Sequence, residues 1–358
     1  MEIGLLGQPL TGKTTFFNLL TGMGQETCLS KKRDVYTAVA QVPDERVDYL
    51  AHLYRPQKAI YAQVQIKDIP GVYQCDAAGM SNKHLEEART ADLLVQVVRA
   101  FHDDVVANIA GEPDPYKELA DFATDLVLAD MISVENQLAR LEESRKPSCN
   151  ASLHIAVLRR ILHALENEQR VSDLILTEEE KLHLAGYNFF TEKPLVIAVN
   201  MDEKQFTTGM YTNRDKILEF AANHQIPLLE ISARMEMEIS RLPLGERAEF
   251  MHAMGLNESG ICRLASTAYN LLGVVSFFTV GAVEVRAWTI RKGTIAKKAA
   301  GKVHSDMERG FIRAEVFHFE DLKNLGSVAT VREKGLFRLE GKEYAVKDGD
   351  IINFRFNV

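Results

Sequence analysis

The stretch Gly7-Gln8-Pro9-Leu10-Thr11-Gly12-Lys13-Thr14 constrains this chain more than any other. Two glycines are followed by a lysine and a hydroxyl residue in the spacing G-x-x-x-x-G-K-[ST], which is that of a phosphate-binding P-loop. Before it, Ile3 to Leu6 is a short apolar run that reads as a buried strand; after it, Phe16, Phe17, Leu19 and Leu20 fall on one helix face. A strand, a glycine loop and a helix in that order are the context in which the spacing binds phosphate. The glycines let backbone N–H groups turn inward around phosphate oxygens, and the helix start adds partial positive charge. Lys13 supplies a mobile cation for the terminal phosphates, and Thr14 a hydroxyl for a magnesium ion.

Further motifs fall where a nucleotide site needs them. The strand Val64 to Ile66 runs into Asp68-Ile69-Pro70-Gly71. There Asp68 orients magnesium through water and the Gly71 N–H meets the terminal phosphate. Val72 stands where many GTPases carry a water-orienting glutamine, so hydrolysis uses another group or is slow. Thr37 is the nearest threonine to offer magnesium from the loop after the first helix. The apolar run Leu195 to Val199 ends in Asn200-Met201-Asp202-Glu203, and Leu228 to Ile231 leads into Ser232-Ala233, the base side of such a site. A guanine reader is Asn-Lys-x-Asp, whose carboxylate accepts two hydrogen bonds from the base. Met201 and Glu203 replace the lysine and the aspartate, and the longer acid misplaces those acceptors.

The chain of 358 residues suffices for two or three domains, and its net charge of −8 provides no global basic field for nucleic acid. Contact with RNA therefore needs a local basic patch, and DNA is not expected as a partner. Two patches are available: Arg140, Arg145, Lys146, Arg159 and Arg160, and Arg291, Lys292, Lys297, Lys298 and Lys302. The four cysteines, Cys28, Cys75, Cys149 and Cys262, are far apart and fit reduced thiols. No apolar run has membrane-spanning length and the N-terminus enters the first strand directly, so a cytoplasmic protein without a membrane partner is expected. The acidic stretch holding Asp103, Asp104, Glu112, Asp114 and Asp121 reads as solvated surface.

From Val127 the apolar positions Val127, Met131, Val134, Leu138 and Leu141 step by four and three, a coiled-coil type of helix. After a break at Pro147, Leu158, Ile161, Leu162 and Leu165 mark a second helix, which makes an antiparallel hairpin inserted in the nucleotide domain. Gly273 to Phe278 reads as a hinge. Val283 to Ile290, Gly310 to Phe317, Leu336 to Leu339 and Ile351 to Phe356 read as strands of a small β-rich module.

Taken together, these pieces resemble the YchF/Obg-like ATPases over essentially the whole chain. The resemblance is carried by the P-loop, by Asn200-x-x-Glu203, and by a tail similar to that family's TGS domain: Phe277-Phe278-Thr279-Val280-Gly281, Gly310-Phe311-Ile312-Arg313-Ala314-Glu315 and Phe354-Arg355-Phe356-Asn357-Val358. It implies ATP and magnesium as cofactors, binding and hydrolysis of ATP in preference to GTP, and association with ribosomes through rRNA and ribosomal proteins; with Val72 in place of a glutamine, slow hydrolysis is expected. It also implies that Leu10, Thr11, Gly12, Lys13, Thr14 and Thr15 contact phosphates, that Thr14 binds magnesium, and that Met201 contacts adenine. The expected fold is α/β. A doubly wound P-loop domain occupies 1–124 and 190–276, the helical insertion 125–189, and a TGS-like β-grasp domain 277–358.

Several positions depart from the family pattern. The family loop reads Gly-x-Pro-Asn-Val-Gly-Lys-Ser, against Leu10 and Thr11 here. The first switch is shorter, and the second reads Asp68-Ile69-Pro70-Gly71-Val72-Tyr73 without most of the family's glycines. The altered switches support a second reading, a nucleotide-gated interaction module with little or no turnover; a GTPase is an alternative, and a small-molecule P-loop kinase is the weaker third, since no acceptor site or basic lid is evident.

Overall fold

The computed structural model describes residues 1–24, 35–70, 82–143, 151–184 and 186–357. Its strands are β1 (Glu2–Leu6), β2 (Tyr36–Val42), β3 (Lys58–Ile60), β4 (Ala62–Asp68), β5 (Leu93–Arg99) and β6 (Leu195–Asn200). They continue with β7 (Leu228–Ile231), β8 (Val274–Val280), β9 (Glu284–Arg291), β10 (Phe311–His318), β11 (Arg338–Glu340) and β12 (Asp350–Phe356). The chain forms two compact units, residues 1–39 with 65–260 and residues 40–64 with 261–358.

The first unit is built on a six-stranded sheet of order β2-β4-β1-β5-β6-β7, in which β4, β1, β5, β6 and β7 run parallel. Its central strands are covered on both faces, which is why they read as near-continuous apolar runs. Every residue of β5 and β6 is buried. The first helix, Lys13–Thr21, buries Phe16 and Phe17 completely. Because β1 has β4 on one side and β5 on the other, the crossovers leave in opposite directions. A crevice therefore opens at the carboxyl ends of these strands, where Asp68, Arg99 and Asn200 stand.

The helical hairpin lies within this unit. Its first helix, Pro115–Glu143, starts earlier than the heptad pattern indicates, with Pro115 at a position where a missing N–H costs nothing. The second, Ala151–Glu166, packs along it through Val134, Leu138, Val157, Leu158, Ile161 and Leu165. The hairpin is pinned at its root by Asp130, which has no exposed surface. The Asp130 carboxylate accepts from Phe190 N (3.0 Å), Thr191 N (2.8 Å) and the Thr191 hydroxyl (2.8 Å). Arg89 adds an ion pair at 3.6 Å and lies over the Phe190 ring.

The second unit holds the other six-stranded sheet, of order β11-β10-β12-β8-β9-β3. Here β8–β9, β10–β11 and β10–β12 are antiparallel, while β12–β8 and β9–β3 are parallel. The helix Ala296–Val303 presses Ala296, Ala299 and Ala300 against Phe277, Trp288 and Phe354, the β-grasp arrangement of one helix across a mixed sheet. Residues 40–64 add the helix Glu45–Tyr54, capped by Asp44, and the edge strand β3. The hinge expected at Gly273 to Phe278 is instead the body of β8, between β12 and β9. Its phenylalanines are the reason, since Phe277 and Phe278 are both fully buried, one on each face.

Candidate functional site: a phosphate loop at the strand ends

The loop from Gly7 to Thr14 is held by close backbone approaches that only glycine permits. Gly7 has φ +140, and a Cβ there would lie 2.3 Å from the Val97 carbonyl oxygen of β5. Gly12 has φ +84, and its Cβ would lie 2.2 Å from Asn200 Nδ2 at the end of β6. Asn200 Nδ2 donates to Thr11 O (3.0 Å), and Asn200 Oδ1 accepts from Ala233 N (3.2 Å). One buried amide therefore ties the phosphate loop to the helix Ala233–Ser240. Lys13 folds back over the loop and donates to the carbonyls of Gly7 (2.8 Å) and Gln8 (2.6 Å). Thr11 is buried, with its hydroxyl donating to Gln8 O, and Thr15 is half-buried on the first helix.

Asp68 ends β4 in register with Leu5, one residue before β1 ends. The Thr14 hydroxyl donates to Asp68 Oδ2 at 2.7 Å. A hydroxyl and a carboxylate brought together beside a phosphate loop are the hard oxygen donors that a magnesium ion takes, and the residues present fit such an ion. Gly71 and Val72 lie outside the described residues. Thr37 is exposed on the edge strand β2.

At the carboxyl ends of β6 and β7, Met201 is buried and gives its N–H to Ile231 O (2.8 Å). The Asp202 carboxylate caps the helix Glu203–Thr208 by accepting from Gln205 N (2.9 Å), and Gln205 Nε2 reaches Ala100 O (2.9 Å). That leaves Glu203 exposed in the first turn of this helix. Ser232 is buried at the start of the helix Ala233–Ser240.

Sequence reasoning missed one cluster beside the loop. Arg99, only 2 % exposed, ends the fully buried β5 and gives its backbone N–H to Glu118 Oε2 (2.9 Å). Its Nη2 donates to Gly111 O (2.5 Å), while Nε stands 4.0 Å from Glu118 Oε1. Gln96 Nε2 donates to the backbone carbonyl of Glu118 (3.2 Å). Burial lifts the Glu118 carboxyl to about 7, against the opposing pull of Arg99 and Lys13. The signal in the sequence was an arginine closing a strand whose one other polar residue is Gln96, a charge that has to find a partner indoors.

Comparison with known proteins gives the family. A family model described as 50S ribosome-binding GTPase matches residues 2–137, and the model for the C-terminal part of YchF GTPases, described as a protein of unknown function, matches residues 274–357. The ribosome-binding ATPase YchF of Bacillus subtilis is 36% identical, over 100% of this chain and 100% of its own length. The chain belongs to the YchF family. Obg-like ATPase 1 of Oryza sativa is also 36% identical, over 100% of this chain and 92% of its own. The solved YchF GTPase of Schizosaccharomyces pombe superposes with a TM-score of 0.86 at 29% identity, covering 99% of this chain and 97% of that one. Family membership accounts for the parallel sheet, the P-loop and the C-terminal unit together.

Proposed function

We propose that this YchF-family chain is an ATP-binding, slowly ATP-hydrolysing switch protein that works on the ribosome in the cytoplasm. The observation that carries the reading is the joined cradle: Gly7 and Gly12 packed against β5 and β6, Lys13 over the loop, and Thr14 paired with Asp68. Its relatives are named ribosome-binding ATPases, and no helix among the described residues is long and apolar enough to cross a membrane.

In this reading the backbone N–H groups of Leu10 to Thr15 hold phosphate oxygens, and Lys13 exchanges its two carbonyl partners for the terminal phosphates. Thr14 and Asp68 hold magnesium, which when bound neutralises charge on the transferring phosphoryl group. Asn200 keeps the loop in register with the base side. Adenine is favoured because Glu203 and the capping Asp202 do not supply the paired acceptors that guanine needs. The word GTPase in the matching family model favours a second reading, guanine nucleotide in the same cradle.

Side-by-side titration of ATP and GTP, with phosphate release measured with and without ribosomes, separates the two. Tighter ATP binding and turnover below about one per second without ribosomes are expected. Equal or tighter GTP binding overturns the adenine assignment. Lys13→Ala lowers ATP affinity or turnover at least about tenfold with the fold intact, since one charge-assisted phosphate contact is lost. Parental binding and turnover in that variant overturn the P-loop assignment.

A further inference from the structure

Glu118 meets the end of β5, the strand whose Val97 carbonyl stands against Gly7 of the phosphate loop and whose Arg99 gives the Glu118 carboxylate its backbone N–H at 2.9 Å. The charged groups facing it are Arg99 from β5, Lys13 from the loop and Asp114 from the turn before its own helix. Arg99 does not clamp it. The Arg99 Nε stands 4.0 Å away, Nη2 is spent on Gly111 O, and the buried Nη1 has no hydrogen-bond partner among the described residues. The one short contact to the carboxylate from this strand is the backbone N–H of Arg99 at 2.9 Å. Gln96, the other polar residue of β5 at this helix, is neutral and holds the Glu118 main chain. The Glu118 side chain is only 13% exposed, so burial favours the neutral acid and the ammonium of Lys13 is one of the few groups favouring the anion.

We propose that nucleotide binding at the P-loop is coupled to proton uptake by Glu118. The proposal rests on the nucleotide-binding reading and adds a proton to it. Phosphates arriving at Lys13 offset the positive field that keeps the carboxylate ionised, and their own charge repels it. The proton comes from solvent and the carboxylate becomes a carboxylic acid; no bond to the nucleotide is made or broken. The acid still accepts from Arg99 N through one oxygen. By reciprocity, nucleotide affinity rises as pH falls through neutrality. Glu118 opens the first helix of the hairpin, so the proton lands at the joint between the strand behind the P-loop and the arm.

The test is calorimetric titration of the full chain with magnesium-ATP at about pH 7.5, in two buffers of different ionisation enthalpy. The unmodified protein takes up about 0.3 to 0.6 proton per nucleotide more than Glu118→Gln, which keeps the acceptor for Arg99 N but does not titrate. Glu118→Gln binds magnesium-ATP with an affinity whose pH dependence is only that of the nucleotide itself. Binding with equal proton uptake in both proteins overturns the proposal and leaves the nucleotide reading standing. Absence of binding by the unmodified protein overturns both. If Glu118→Gln does not fold, infrared difference spectra of the unmodified protein decide: gain of a protonated carboxyl band on adding magnesium-ATP is expected, and no gain overturns the proposal.

Discussion

Leu10 holds a left-handed backbone with φ +67, in the middle of the phosphate loop. A leucine pays steric energy there that asparagine, the residue of the family's loop, pays less of. Leu10→Asn is therefore expected to stabilise the protein by about 1 kcal/mol, seen as a raised melting temperature with nucleotide affinity kept. A lower melting temperature contradicts that backbone assignment. Glu118 gives the second expectation at this scale. Its carboxyl is raised from 4.5 to about 7 in the folded chain, so the native state binds more protons than the unfolded one across that window. Its contribution is complete below the lower value and is lost as pH rises through the upper one, a loss of at most about 3 kcal/mol. Chemical denaturation of Glu118→Gln at a series of pH values should show that falling slope flattened. An unchanged slope means that the carboxyl titrates as if exposed.

At the scale of elements, the hairpin is anchored by one buried carboxylate rather than by its charged faces. Asp130 joins the helix Pro115–Glu143 to the returning segment at Phe190 and Thr191, and Arg89 of the helix Asn82–Thr90 closes the cluster by donating to Tyr187 O and Asn188 O. Asp130→Ala leaves the backbone N–H groups of Phe190 and Thr191 without their acceptor in a buried place and takes the carboxylate away from Arg89, a cost of about 3 kcal/mol in denaturant unfolding. A change below about 0.5 kcal/mol, the level of ordinary surface substitutions, places the anchor elsewhere. Of the hairpin's cations, Arg159 pairs with Glu142 at 2.9 Å and Arg160 with Glu180 at 2.7 Å, while Arg140 is exposed. Arg145 and Lys146 lie outside the described residues.

At the scale of the whole molecule, a protein with net charge −8 meets rRNA only through local basic surface. The C-terminal unit offers the helix Ala296–Val303, where Lys298 and Lys302 are exposed and Lys297 half-buried, although Lys298 already reaches Glu308 at 2.6 Å. Charge reversal of Lys297, Lys298 and Lys302 is expected to weaken co-sedimentation with ribosomes and to flatten its salt dependence. ATP affinity of the isolated protein should stay as it is, since the P-loop belongs to the other unit. Unchanged sedimentation at low salt removes this helix from the interface.

What the sequence determined by itself was local and periodic. Glycine spacing defined the phosphate loop because φ beyond +80 at Gly12 is closed to other residues. The apolar run Leu195 to Val199 defined β6 because a strand covered on both faces carries no alternation, and steps of four and three defined the hairpin. What only the tertiary structure decided was pairing between distant residues. Lys58–Ile60 extends the C-terminal sheet beside β9, although the strands before and after it, β2 and β4, pair in the nucleotide sheet, because hydrogen bonds between strands leave no mark on a short segment. Phe277 and Phe278 form a central strand rather than a hinge because both faces of that sheet are covered. Glu118 passed as one more charge near an acidic surface stretch; its place against Arg99, and within the field of Lys13, exists only once β5 and the long helix are packed together. A titratable group is set by what surrounds it, and burial is a property of the fold rather than of the residue.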